Sequence, residues 1–182
     1  QAEGETVVND HVAFRTFRSD RIGVDSFASH FTELGYEAKG EYEFEEKKLF
    51  AKHYESKDPE CPKVFISELK VESFSPFLQS QVERMISEIP KGFETQKSFP
   101  FSGRPWTISH EDYSKLLEES EYAAWLSAFG FRANHFTVLV NKLKKYSSLE
   151  ALNAFIEGNG YELNASGGKI KGSKDVLLEQ SS

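Results

Sequence analysis

The sequence predicts an α+β fold of two β-α-β-β-β modules forming a shared curved sheet. A helical pair is inserted between the modules, and the last strand of the second is missing. Three observations predict this: an internal repeat, alternating apolar and polar runs that read as strands, and two capped helices between the repeated halves. In the repeat, residues 10–17 (Asp-His-Val-Ala-Phe-Arg-Thr-Phe) and 134–141 (Asn-His-Phe-Thr-Val-Leu-Val-Asn) are apolar, β-branched or aromatic runs that open on a small polar residue and then His. Each leads to a helical pattern that ends in Gly-Tyr-Glu, at 35–37 and at 160–162. His11 to Gly35 is 24 residues and His135 to Gly160 is 25.

The elements follow in order. After the first strand, Val24, Phe27, Ala28, Phe31 and Leu34 fall on one helix face, and Gly35 stops it. Residues 41–55 read as a hairpin turning near Glu45-Glu46-Lys47, and residues 63–69 as a further strand bounded by Pro59 and Pro62. Ser75-Pro76 is an N-cap with proline at the first helical position, leading to Pro90. Ser109 with Asp112 three residues on resembles a capping box and opens a long helix to Gly130. In the second module Leu149, Leu152, Phe155 and Ile156 share a helix face, and residues 162–172 and 174–180 supply two strands around a Gly167-Gly168 turn. The whole chain, residues 1–182, is expected as a single domain: module one at 7–73, the helical insertion at 74–132 and an incomplete module two at 133–182.

Composition bounds the function. The 182 residues carry 22 Lys+Arg against 29 Asp+Glu, a net charge of −7, which argues against nucleic acid or an anionic membrane as partner. Hydrophobic residues at 38% and 16 Phe suffice for a core built largely from rings. No apolar run nears the ~20 residues that span a bilayer, and the N-terminal stretch has no signal-peptide pattern. Cys61 is the only cysteine, which excludes an internal disulfide and suits a reducing cytoplasm; without an activating neighbour it reads as inert. Because the chain starts at Gln1 rather than Met, a partial gene product is expected.

Alternation along a strand puts His11, Ala13, Arg15 and Phe17 on one face, and His135, Thr137 and Leu139 on one face of the repeat-equivalent strand. If the modules pair about a common cleft, His11 and His135 meet, although 124 positions apart. Two neutral imidazoles there suit a divalent transition metal, and a carboxylate would complete a facial triad; the alternative is a pair of structural histidines. The in-chain carboxylate candidates are Glu68 and Glu179, both weak, so the third ligand is expected beyond Ser182. Arg15 stands ~13 Å along the strand from His11 on the same face. It suits bidentate capture of a substrate carboxylate, with an ion pair to an acidic side chain as the alternative. His30, His53 and His110 have no repeat partner and read as surface or capping residues. No nucleophile elbow, phosphate loop or zinc-protease motif occurs.

Residues 10–17 and 133–138, together with Arg104-Pro105-Trp106, Tyr122-Ala123-Ala124-Trp125 and the 167–173 stretch, give the chain its family likeness. It resembles the 2-oxoadipate dioxygenase/decarboxylase (hydroxyglutarate synthase) family, of the vicinal-oxygen-chelate or glyoxalase-like fold. The resemblance implies a mononuclear Fe(II), with Zn, Ni or Mn as alternatives, held by His11, His135 and a glutamate from a final strand. It implies no catalytic residue beyond the metal ligands, Arg15 as the grip on the substrate carboxylate, and a small 2-oxo acid and O2 as partners. A non-catalytic ligand-binding module and a metal-dependent isomerase or hydrolase of the same fold are the rival expectations.

Overall fold

A computed structural model describes residues 4–165, 168–173 and 178–182. The single domain expected for residues 1–182 resolves into two compact units: Asp10–Thr137, and Gln1–Asn9 with Val138–Ser182.

The larger unit opens with β1 (Asn9–Phe17), α1 (Val24–Thr32), β2 (Glu37–Phe44), β3 (Leu49–Glu55) and β4 (Lys63–Leu69), the expected order of module one. β1 and β4 run parallel, with His11 opposite Lys63 and Arg15 opposite Ser67. β4 pairs antiparallel with β3, and β3 with β2. The inserted segment holds α2 (Pro76–Glu88), α3 (His110–Glu119) and α4 (Glu121–Phe129), with short 3-10 turns between α2 and α3. The long helix expected from Ser109 to Gly130 is broken at Ser120. That residue leaves the helical region (φ −155°, ψ 107°) and its side chain accepts the N–H of Ala123, so it ends α3 and caps α4 at once. β5 (Ala133–Val138) completes a five-stranded sheet in the order β2-β3-β4-β1-β5.

Sheet register sorts the side chains onto two faces. Val12, Phe14 and Thr16 of β1 share one with Val64, Ile66 and Glu68 of β4, and α1 covers it: Phe14 packs against Phe27 at 5.2 Å and Phe31 at 5.3 Å between ring centroids. Phe27 also touches Phe99, which lies 4.5 Å from Phe131, and Trp106 meets Phe131 at 5.3 Å. The core is thus the ring-rich one foreseen from composition, each buried Phe being worth roughly 1.5–3 kcal/mol. The indole N–H of Trp106 donates to Ser127 O at 2.9 Å, so the ring is buried without an orphan donor. His11, Ala13, Arg15 and Phe17 occupy the opposite face.

The smaller unit holds α5 (Leu149–Gly158), β6 (Lys171–Ser173) and β7 (Leu178–Gln180). β6 and β7 pair antiparallel as a separate ribbon, so among the described strands β5 alone carries module two into the shared sheet. Of the strand expected over 162–172, residues 162–165 and 168–170 lie in no strand and β6 starts at Lys171; Ser166 and Gly167 at the expected turn, and residues 174–177 of the expected second strand, lie outside the described residues.

The repeat survives at atomic level where α1 and α5 end. Gly35 (φ +88°) and Gly160 (φ +85°) each adopt the left-handed turn open to glycine. The next residue's N–H reaches back five positions, Tyr36 to Phe31 O and Tyr161 to Ile156 O, while each glycine N–H bonds three back. Both are Schellman caps. Among the described residues, no helix is long and apolar enough to cross a membrane.

Candidate metal and anion site

β1 and β5 lie side by side, and each brings one histidine to the same place. The imidazoles of His11 and His135 face each other Nε2 to Nε2 at 3.4 Å, with ring centroids 5.4 Å apart and planes at 78°. Each Nδ1 is already engaged. Asp10 Oδ2 stands 2.9 Å and Thr137 Oγ1 3.0 Å from Nδ1 of His11. The Asn134 side-chain amide, which can present oxygen or nitrogen, stands 2.9 Å from Nδ1 of His135. Thr137 also takes the backbone N–H of His11 and donates to its carbonyl, locking β5 to β1 at this point.

Partners at Nδ1 leave the Nε2 positions for whatever sits between the rings, and this is how metal-bound histidines are oriented. Two nitrogens ~2.1 Å from a shared cation and 3.4 Å apart subtend an angle of about 108°, within the range of common coordination polyhedra. Desolvation, and behind it the charges of His11 and Arg15, hold His135 below the usual imidazole pKa and so favour the neutral, ligating form. As a pair, these residues fit a divalent transition metal.

Arg15 lies on the same sheet face. Its guanidinium sits over the rings of Tyr122 and Trp125, with Cζ 4.8 and 4.9 Å from their centroids. Among the described residues no carboxylate comes within ion-pair distance of it, so the ion-pair alternative gives way to an aromatic seat. Burial pulls the Arg15 pKa below its ordinary value, partly offset by Tyr122 and the carboxylate of Glu121. The Tyr122 hydroxyl is wedged into the sheet, accepting the N–H of Thr16 at 3.1 Å and donating to Ser67 O at 2.6 Å. Burial pushes this phenol's pKa well up.

Of the in-chain candidates for a third ligand, Glu68 does not join the histidines. Glu68 is buried on the α1 face, opposite Thr16. One oxygen receives Nε–H of Arg18 at 2.7 Å and the other the N–H of Val24 at 2.8 Å. Gly23 at the N-cap has no side chain to do this, so Glu68 caps α1 instead. Glu179 lies half-buried in β7 of the smaller unit, opposite Gly172. Among the described residues no group of three His, Cys, Asp or Glu is poised to hold a metal.

The structure adds one residue to this sheet face. His53, expected as a surface or capping residue, is half-buried in a row with Ala13 and Phe65. Its Nδ1 meets the Tyr42 hydroxyl at 2.9 Å and its Nε2 lies 3.4 Å from Glu55. Gly40 makes room, since a Cβ there would come within 3.0 Å of the ring, and β2 breaks register between Ala38 and Gly40. A lone glycine inside a strand pattern was the available signal. His30 is half-buried, its Nε2 2.8 Å from Glu94 O; His110 begins α3; Cys61 is free and exposed.

Two curated plant proteins resemble the chain. The rice (Oryza sativa subsp. japonica) "2-oxoadipate dioxygenase/decarboxylase, chloroplastic/amyloplastic" is 36% identical over 99% of this chain and 53% of its own length. The Arabidopsis thaliana chloroplastic protein of that name is 37% identical over 95% and 50%. The chain thus spans about half the length of the curated relatives it matches. Three solved structures share the fold. A Shewanella frigidimarina NCIMB 400 protein, provisionally described as a hydrolase, has TM-score 0.95 and 48% identity, covering 98% of this chain and 70% of that one. Rice hydroxyglutarate synthase in complex with 2-oxoadipate has TM-score 0.91 and 36% identity over 98% and 61%. A protein from Ralstonia eutropha JMP134, provisionally assigned to the glyoxalase superfamily, has TM-score 0.79 and 23% identity over 99% and 63%, and supports the glyoxalase-like fold. The family model for 2-oxoadipate dioxygenase/decarboxylase matches residues 1–97 and 93–182, and the chain belongs to that family.

Proposed function

We propose that this site serves the conversion of 2-oxoadipate, or a similar 2-oxo diacid, and O2 to 2-hydroxyglutarate and CO2. One 2-oxoadipate and one O2 account for every atom of the products, so the balance calls for no external reductant. The observation that carries the reading is the facing pair of Nε2 atoms, 3.4 Å apart on repeat-equivalent strands, with a guanidinium on the same sheet face that has no carboxylate partner among the described residues. His11 and His135 are the ligands we assign to a divalent metal, Fe(II) in our reading, with Zn, Ni or Mn as alternatives. We place the third ligand, a glutamate, in the part of the longer relatives that this chain does not span. Bound Fe(II) would supply the O2-activating redox chemistry.

The chain's own residues bind and orient. Asp10 and Thr137 hold the His11 ring by Nδ1, and Asn134 holds that of His135. Arg15 anchors a substrate carboxylate bidentately, which selects a diacid over a monoacid. A lone, exposed Cys61 suits a reducing compartment, which we take to be the cytoplasm.

Anaerobic loading with Fe(II), followed by O2 uptake on 2-oxoadipate with 2-hydroxyglutarate as product, tests this. Arg15→Ala should raise KM for the diacid with little change in kcat, and an unchanged KM removes its anchoring role. The lack of a third ligand among the described residues favours a second reading, a ligand-binding module without turnover; metal binding with no uptake on any 2-oxo acid would favour it. The description of the Shewanella protein as a hydrolase favours a third reading, a hydrolase of the same fold, which would turn over without oxygen.

A further inference from the structure

Arg15 is a cation taken partly out of water and seated on ring faces, with no carboxylate within ion-pair distance among the described residues. The difference matters chemically. A guanidinium carries its five N–H donors in its own plane, and a carboxylate partner would occupy two of them. Ring faces supply negative potential over the cation while leaving those donors unspent. Both rings come from one helix: Tyr122 and Trp125 stand three apart on α4 and so share a face. The Tyr122 hydroxyl is fixed between Thr16 and Ser67, and Trp125 is backed by Phe129 at 5.1 Å, itself beneath Arg132. Ser120 sets where the helix begins and hence which residues face Arg15.

From this geometry we infer that α4 is the specificity element of the site. Tyr122 and Trp125 are positioning residues that hold the Arg15 fork partly desolvated, without an ion-pair partner among the described residues, and presented to a carboxylate remote from the metal. The inference rests on the proposed 2-oxo diacid reading and adds which residues enforce the diacid preference.

The test is calorimetric binding to iron-loaded protein without oxygen. The ligands are 2-oxoadipate, 2-oxohexanoate (the same chain length without the second carboxylate) and glutarate (a diacid without the 2-oxo group). Trp125→Leu and Trp125→Met both remove the ring yet keep an apolar side chain, so the result does not hang on one variant's folding. Each should weaken 2-oxoadipate and glutarate about tenfold, the size expected for losing one desolvated ring contact. Neither should move 2-oxohexanoate more than about twofold, and Trp125→Phe should recover most of the diacid affinity. Equal losses for all three ligands, or none, would overturn the inference. The two ideas fail separately. If the 2-oxo group adds nothing to affinity while glutarate binding depends on Trp125, the 2-oxo acid reading falls and the clamp stands. If 2-oxoadipate is preferred over glutarate but the Trp125 variants bind as wild type does, the clamp falls alone.

Discussion

Tyr122→Phe removes one oxygen atom from α4 and opens a gap in the sheet beside Arg15. The hydroxyl takes the N–H of Thr16 at 3.1 Å and gives its proton to Ser67 O at 2.6 Å, bridging β1 and β4 where the ladder would otherwise close directly. Thr16 has no solvent-accessible surface, so water cannot replace the lost acceptor. An orphaned buried N–H costs about 1–3 kcal/mol. The ring itself stays, so its apolar burial is kept, and a loss of about 2 kcal/mol is expected. For a chain of this size that lowers Tm by about 4–8 °C. Urea denaturation should show a reduced midpoint at constant slope, and hydrogen exchange at the Thr16 amide should quicken selectively. A change below about 0.5 kcal/mol, or unaltered exchange at Thr16, would show that the phenol is not part of the strand pairing.

Gly130 ends α4 with φ +67° and ψ −150°, a conformation essentially reserved for glycine. An added Cβ would lie 2.2 Å from the backbone oxygen of Gly103, so Gly130→Ala should cost more than about 3 kcal/mol or prevent folding; a Tm within a few degrees of wild type would contradict this. Acid should destabilise the fold in a defined window. Arg21 holds Glu94, and the Thr107 backbone N–H holds Glu88, below the usual carboxylate range. A carboxyl depressed in the folded state adds stability that is full above its unfolded pKa near ~4.3 and lost as pH falls through the folded value. Tm should therefore hold down to about pH 5 and drop below it. Glu94→Gln should start lower at neutral pH and fall less steeply in acid, and parallel curves for variant and wild type would argue against the pairing.

Much of the fold was readable because its signals are local. β4 lies at the residues its alternating pattern named, and the two Gly-Tyr-Glu endings became matching helix caps. The His11–His135 encounter was readable across 124 positions only through the repeat, since equivalent strand starts converge where the modules share a sheet. What stayed hidden depends on tertiary partners. Alternation assigns Arg15 to a face but does not say that Tyr122, 107 positions later, sits over it. Glu68 offered a carboxylate of suitable type, yet α1 begins on a glycine with no cap of its own and claims it. The helix break at Ser120 was masked because an apolar pattern continues across a serine that stops one helix and starts the next.

In the proposed function His11 and His135 are joint ligands of one metal ion. X-ray absorption at the iron edge of anaerobically loaded protein tests it most directly. Two imidazole nitrogens at ~2.1 Å are predicted, falling to one or to no bound iron in His11→Ala and in His135→Ala. Iron bound at full stoichiometry with an unaltered coordination signature in either variant would contradict it.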